Sequence, residues 1–498
     1  MRIHMKTKIY VKSLAGLIAI VVFTSCTDLF KGSDLQQNPN APVTAQVDIT
    51  PLTTGSLVSL GTLHEDTDVR IAYMWGGQLL GQSRQHQGFQ DYIVAASTFD
   101  WGNYYNTGQN IRIVQQRASA VNNKVHLGAA QVMEALLFTK LVSLWGDVPY
   151  SEAFDIANHP APKYDGQLAL YNTLITLLNT AYTNLNSGVG SITGDFIYKN
   201  DESKWAAAAK TLQARLYLHL KQYASAATAA GLGISSTGGD MLMPHGHAYQ
   251  IDMNLNFSFF DTDRPGDTSF DDPAYLPTFM TTDLASGVRI VDVAQRNPKT
   301  DETGMYFHFF TYGYETNGRD PNVADGMFID AAPQPWLTYY ENQLILAEAL
   351  ARQNVGAADA GAIAVLNSVR QGLATGYING QTTAYASSGL VYTDYVQSDF
   401  ASGNLANPAS KGWTDQVALL TEIASEKFIT LISQYEVFNE LRRLQVAIPV
   451  VSLGIPISSG SQYPARYIYP QNEINTNPNV PMVGGSVPNQ FAVLPVFQ

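Results

Sequence analysis

Two stretches of the chain concentrate side chains suited to a polar, ring-bearing ligand. Residues 84–106 contain Arg84, Gln85, His86, Gln87, Tyr92, Trp101, Asn103, Tyr104, Tyr105 and Asn106. Residues 305–319 contain Tyr306, His308, Phe310, Tyr312, Tyr314, Asn317 and Arg319. A sugar ring has an apolar C–H face and a rim of hydroxyls. A surface that holds it needs flat rings for the face and amides, carboxylates or guanidinium groups for the rim. Trp101 is the first candidate stacking platform and Tyr104 the second, with Arg84, Tyr92 and Asn103 beside them. In the later stretch, strand-like alternation puts Tyr306, His308, Phe310, Tyr312 and Tyr314 on one face. Tyr312, Tyr314, Asn317 and Arg319 form the ligand group there.

Other chemistry is less well supported. The run Asp261-Thr262-Asp263-Arg264-Pro265-Gly266-Asp267, with Asp271 and Asp272, offers hard oxygen ligands on a turn. It lacks the late glutamate of a calcium loop, and Arg264 opposes a cation, so a solvated acidic turn is preferred. His245-Gly246-His247 has no evident third ligand and reads as a surface loop. Glycoside hydrolysis needs two carboxylates about 5–10 Å apart across a cleft. Glu134, Glu152, Glu348 and Glu436 are available, but each has a helical or capping explanation. No zinc motif, nucleophile elbow or phosphate loop is present. No metal, cofactor or catalytic residue is assigned.

These residues must be carried by helices. Apolar residues recur at helical spacing over 55–80, 109–144, 167–186, 203–229, 336–353, 359–373 and 414–444. Gly146 ends the second of these and Pro149 prevents its resumption. Ala347, Ala349 and Ala351, a turn at Asn354–Gly356, and Ala358 to Val369 describe two helices packed through small residues, as in tetratricopeptide units. No 34-residue period runs along the chain, so divergent helix pairs are expected rather than a regular solenoid. Between helices lie 84–107, 235–335, 375–413 and 446–498, with short strands expected at Gly304–Tyr314 and Arg466–Tyr469. The fold class is mainly α: helix pairs as a scaffold, long loops and a few strands.

The chain has 498 residues, 45% hydrophobic and 14% charged, with a formal net charge of −13. That composition supports a packed core and argues against nucleic acid, whose phosphates need a basic surface. Aromatics at 11% are generous beside so few charges, which suits a soluble body that presents rings at its surface. The start is different in kind. Arg2, Lys6, Lys8 and Lys12 precede the apolar run Leu14–Phe23, which is too short to span a bilayer, and then Thr24-Ser25-Cys26. Cys26 is the only cysteine. Residues 1–25 are therefore read as a lipoprotein signal peptide, Cys26 as the acylated residue, 26–45 as a tether and 46–498 as one domain. Phe23-Thr24-Ser25-Cys26 resembles a bacterial lipobox, with Phe23 in place of the usual leucine. Removing the signal peptide takes the net charge from −13 to −17.

Several blocks in order resemble the SusD/RagB-like nutrient-binding outer-membrane lipoproteins of Bacteroidetes. They are Asn38-Pro39-Asn40-Ala41-Pro42; Leu144-Trp145-Gly146-Asp147-Val148-Pro149-Tyr150-Ser151-Glu152-Ala153; Lys204-Trp205 through Arg215-Leu216; Ala347-Glu348-Ala349 with the helix to Arg370; Glu426-Lys427-Phe428 to Arg443; and Tyr469-Pro470-Gln471-Asn472-Glu473. Phe438 stands where the family usually has tryptophan. Trp145, Trp205 and the motif residues themselves read as architecture, since packing explains each. The resemblance implies an outer-membrane, lipid-anchored, surface-exposed protein that captures glycan oligomers for a SusC-like TonB-dependent transporter, without catalysis. A peptide-binding member of the family, a glycan-degrading enzyme and a helical-repeat interaction scaffold are the alternatives.

Overall fold

Most long helices begin on a side chain that accepts a backbone N–H, the local signal that fixes a helix start. The computed structural model describes residues 48–270, 274–280, 299–312, 320–382 and 390–498. The chain divides into two units, Met1–Pro51 and Leu52–Gln498; of the first, only residues 48–51 are described. Cys26, the tether, Tyr314, Asn317 and Arg319 lie outside the described residues.

The longer helices are α1 (Ile49–Leu63), α2 (Thr67–Trp75), α3 (Arg84–Gln90), α4 (Gly102–Ala120), α5 (Lys124–Trp145), α6 (Gln167–Leu185), α7 (Glu202–His219), α8 (Tyr223–Ala230), α9 (Tyr339–Gln353), α10 (Ala360–Leu373), α11 (Asp415–Thr430) and α12 (Glu436–Leu444). Asn123 caps α5, Asp201 α7, Thr338 α9, Asp359 α10 and Thr414 α11. Antiparallel neighbours pack in sequence: α4 on α5, α5 on α6, α6 on α7, and α9 on α10. The mainly helical, paired architecture is the expected one. Ala347 and Ala351 are wholly buried in the cluster that holds Ala358 and Ala362 of the α9–α10 pair, whereas Ala349 is buried among Ala226, Ala229 and Ala230 of α8, so small side chains allow a close approach to α9 from two sides.

The structure corrects several expected boundaries. Four of the predicted helices are pairs: 55–80 breaks at 64–66, 109–144 at 121–123, 203–229 at 220–222 and 414–444 at 431–435. Asn122, Lys221 and Ser433 take positive φ at three of these breaks. None is glycine or proline, so the pattern carried no stop signal there. The start of α4 lies at Gly102, not 109, and α3 occupies part of the supposed loop 84–107. Of the expected strand at 304–314, residues 313 and 314 lie outside the described residues; the rest is a turn of helix, then wide π-type turns at Tyr306–Phe310, with Thr311–Tyr312 paired to Asp320–Pro321. Met305 and Tyr306, and Phe309 and Phe310, are buried as adjacent pairs, so burial does not alternate along this stretch. No strand forms at Arg466–Tyr469 either. That segment gives the Tyr467 N–H to Leu144 O at 2.8 Å and its hydroxyls to Asp68 O and Asp147 O. Trp336 lies on the strand Gln334–Leu337, paired with Met241–Met243, rather than at a helix start; its ring packs on His64 at 5.1 Å.

Helix α5 is long and apolar enough to cross a membrane, but it is enclosed by its neighbours and forms the centre of the core. At its end Gly146 has φ +88°, which other residues adopt only with strain. Asp147 then accepts the Gln167 N–H at 2.7 Å. A two-residue ladder, Val148–Pro149 with Tyr164–Asp165, closes the base of loop 150–163. Asp165 Oδ2 accepts the amides of Tyr150 and Ser151 at 2.9 and 2.8 Å, and the Lys163 N–H donates to Glu152 at 2.9 Å. This loop is pinned at both ends and lies alongside α4.

Charges are buried between α9, α11 and α12. Glu348 receives Arg443 at 2.6 Å, Lys427 at 2.7 Å and Arg352 at 2.7 Å, while Glu440 receives Lys427 at 3.1 Å and Arg443 at 2.5 Å. Burial alone would raise the Glu348 carboxyl, yet the three cations hold it well below the usual carboxylate range. The Glu440–Arg443 motif is thus part of the interior, as its helical spacing suggested.

Candidate functional site

Trp145, at the end of α5, is the hub of an aromatic box. Its ring lies 5.5 Å from Phe99, 5.8 Å from Trp101, 5.9 Å from Tyr104 and 5.1 Å from Tyr467. Trp101 also meets Tyr105 at 5.9 Å, Tyr164 at 6.2 Å and Tyr469 at 5.8 Å. The consequence is a correction: Trp101 is 3% exposed and Tyr104 2% exposed, so neither holds an open ring face to water. The Tyr104 hydroxyl donates to Asp68, which also receives Lys140 at 2.8 Å. Burial, then the Asp68 charge, pushes the Tyr104 phenol well up, so it stays a neutral donor. Tyr92 is buried too, edge-on to Trp75 at 6.1 Å, its hydroxyl accepting the Ser458 N–H at 2.9 Å.

Arg84 is 59% exposed and reaches Asp267 at 3.2 Å; His86 and Ser83 bond the same carboxylate at 3.1 and 2.9 Å. That buried aspartate anchors α3, so it is spoken for within the acidic turn that suggested calcium. Asn103 is exposed on α4. The backbone of Tyr312 pairs with Asp320, apart from the α4 cluster in the chain's ladders. The two predicted groups are therefore not shown as one site.

What the structure does bring together is a cleft of about 360 Å³ at the start of α4. The edge of Trp101, Tyr105 and Asn106 form its floor. Ile156 and His159 come from loop 150–163, and Asn472 and Glu473 from the C-terminal segment. The Tyr164 hydroxyl donates to Glu473 at 2.9 Å and the Tyr105 hydroxyl to Pro149 O at 2.8 Å, which fixes the walls. Burial, then Glu473, raises both phenols, so the cleft presents no phenolate. The indole N–H of Trp101 is buried and has no acceptor among the described residues. An unmet buried donor is costly unless something arriving from outside meets it.

Tyr105 and Asn106 lie in the segment 84–106 that the sequence singles out, but their neighbours Trp101 and Tyr104 are the first candidates there. The missed signal was helical: Gly102, Tyr105, Asn106 and Gln109 share a face, whereas Tyr104 points to the core. Pro149 and Ala153, and residues 470–473, sit in blocks read as architectural, and Ile156 to Pro160 in no block at all; nothing local shows that they meet Trp101.

Other clefts and clusters are present. A cavity of about 250 Å³ beside α11 and α12 is apolar except chiefly for Lys427 and Glu440, which are paired with each other and with Glu348 or Arg443. His219, Glu436 and Glu440 place ligand-type atoms within 4.8 Å. They do not fit a metal, because His219 is held by Glu436 at 2.6 Å and Tyr171 at 3.0 Å, and Glu440 by two cations. Aromatic residues also line a cleft of about 620 Å³ at Tyr275, Phe279 and Trp413 and one of about 450 Å³ at Tyr463, Phe491 and Phe497.

The family model described as "Starch-binding associating with outer membrane" (SusD-like) matches residues 54–470. The chain belongs to the SusD-like family. With it comes a nutrient-binding role at the outer membrane. The block Asn38–Pro42 precedes the matched residues. Solved structures agree in fold. A SusD homolog from Parabacteroides distasonis superposes with TM-score 0.67 at 18% identity, covering 91% of this chain and 98% of that one. A SusD/RagB family protein from Bacteroides thetaiotaomicron gives 0.61 at 20% identity, covering 87% and 95%. A chitin-binding SusD homolog from Flavobacterium johnsoniae gives 0.58 at 14%, covering 89% and 98%. No curated protein matches this SusD-like chain.

Proposed function

We propose that this SusD-like protein captures glycan oligomers at the cleft formed by Trp101, Tyr105 and Asn106 and passes them to a TonB-dependent outer-membrane transporter. The observation that carries the reading is the cleft itself. It sets the partly exposed Tyr105 ring beside the amides of Asn106 and Asn472 and the fixed carboxylate of Glu473, groups suited to the rim of hydroxyls on a sugar. The family's starch-binding description and the chitin-binding homolog support the glycan class. Cys26 carries the lipid that keeps the body at the outer surface, and 26–45 is the tether. Arg84, Tyr92 and Tyr104 are engaged with Asp267, Trp75 and Asp68 and do not line this cleft, and Asn103 is exposed on α4 near it; Tyr312, Tyr314, Asn317 and Arg319 remain the second candidate group.

Binding without catalysis fits the carboxylates at hand. Glu473 accepts Tyr164, Asp100 accepts the Gly102 N–H at 3.0 Å, and Glu134 is buried against Arg112 at 2.5 Å and Tyr150 at 2.7 Å. Each is engaged in holding a wall or helix rather than flanking a bond to be cut.

The test is a glycan panel of starch and chitin fragments, with peptides as a control set, against the detergent-solubilised full chain. Retention of a glycan, lost in an Ile156→Trp variant that fills the cleft, is the expected result. Loss in Trp413→Ala instead would move the site to the cleft at Tyr275, Phe279 and Trp413. Release of shortened products during incubation would make the protein an enzyme. Separately, Cys26→Ser should leave the outer-membrane fraction; its normal retention there would refute the lipid anchor.

A further inference from the structure

A second cleft lies farther along α4 than the one at Tyr105 and Asn106. Helix α4 turns Gly102, Tyr105 and Asn106 toward it, and then turns Gln109, Arg112, Gln116 and Ser119 toward a second cleft of about 610 Å³. Steps of three and four residues place all of these on one stripe of the helix. At about 1.5 Å per residue the stripe from Trp101 to Ala120 runs about 28 Å. Loop 150–163 borders both clefts: Ala153 and Ile156 line the first, and Phe154 the second. Phe154 packs against Tyr105 at 6.1 Å and into the space over Gly108, where a Cβ would stand 2.6 Å from its ring. The glycine is what lets the aromatic sit between the clefts.

The second cleft is built, not incidental. Buried Glu134 takes Arg112 at 2.5 Å, Gln115 at 2.5 Å and the Tyr150 hydroxyl at 2.7 Å. The Arg112 guanidinium lies 5.2 Å from the centre of the Tyr150 ring and 5.4 Å from that of Phe154, with 38% of its side chain open to solvent. A planar cation with a fixed orientation loses little freedom when it bonds a hydroxyl. Its Nε–H is buried and unmatched among the described residues. Gln109, Gln116 and Ser119 are exposed around it, so the lining is mostly donors and acceptors of hydroxyl-binding type.

We propose that this stripe is a second subsite, centred on Arg112, that holds the continuing units of an extended glycan whose neighbouring unit lies at Tyr105 and Asn106. The proposal rests on the glycan reading and adds to it a demand on ligand length. Arg112 and the two glutamines engage only an oligomer long enough to pass Phe154; a short one fills the first cleft alone.

Titration calorimetry of the full chain with maltotriose against maltoheptaose, and with chitotriose against chitohexaose, tests it. In the series that binds, the longer sugar should bind about tenfold more tightly, the scale of two further hydrogen bonds. The Gln109→Ala/Gln116→Ala double variant should abolish that length advantage; both changes are on the exposed face and leave the core untouched. Equal affinity for short and long sugars, or a length advantage that survives in the double variant, overturns the subsite while the first cleft stands. No binding of any of the four sugars overturns the glycan reading and the subsite with it.

Discussion

The interior between α9, α11 and α12 and the solvent face of α4 are both rich in polar side chains, but they spend them differently. Around Glu348 the chain supplies its own partners: three cations converge on one carboxylate, away from water. Along α4, Asn103, Asn106, Gln109 and Gln116 point outward. Removing a partner from the first group leaves a buried charge uncompensated, which the fold must bear. Removing one from the second leaves a solvated gap, which only a ligand would notice. Polar residues within one helical scaffold thus divide into those that hold it and those available for recognition, and burial, not residue type, separates them.

The largest expected effect lies in the closed region. Glu348→Ala should destabilise the protein by about 3–5 kcal/mol, as loss of one member of a buried ionic network does. A melting temperature unchanged from the parent would show that the network contributes nothing to the fold. Trp101→Ala comes next and bridges the two regions. Because its ring is packed in the aromatic box, the substitution should cost about 3 kcal/mol of stability as well as weakening glycan binding. Were binding lost with no change in melting, Trp101 would be an open platform after all and the comparison would need redrawing.

Acid should act on the closed region first. Glu436 is buried, which would raise its carboxyl, yet the neighbouring His219 and Arg215 and its hydrogen bonds bring it down to about 2. A folded-state value below the unfolded one means the contribution is present in full above about pH 4.5 and is lost as pH falls toward 2. His64 adds in the same direction: burial, then Lys140, lowers it to about 3, so protons favour the unfolded chain as pH drops below about 6.5. Stability measured by denaturant titration should fall steadily on acidification, less steeply in Glu436→Gln between pH 4.5 and 2. An unaltered slope in that variant would assign the acid sensitivity elsewhere. The smallest effect on the fold belongs to Asn106→Ala: within about 0.5 kcal/mol of parental stability, but several-fold weaker for a glycan. A destabilised Asn106→Ala with intact affinity would put that residue with the scaffold.

Helical periodicity, the Gly146 stop and the ordered family blocks made the scaffold legible before any coordinate, down to the alanine-lined α9–α10 pair. Breaks at Asn122, Lys221 and Ser433 were hidden because residues that adopt left-handed backbone without being glycine leave no mark in the pattern. The candidate cleft was legible in part. Residues 101–106 were singled out, yet the choice within them favoured Trp101 and Tyr104 over Tyr105 and Asn106, since aromatic content does not tell which way a helix faces until its first residue is known.

The amino-acid order alone determined that this chain makes paired helices, gathers rings near residue 101 and belongs with the SusD-like proteins. Those are local or linear properties: propensity, periodicity and motif. Only the tertiary structure decided which rings are buried and which edge a cleft, because that depends on Tyr469 and Glu473 returning to Trp101 and Tyr164 across more than 300 residues of chain.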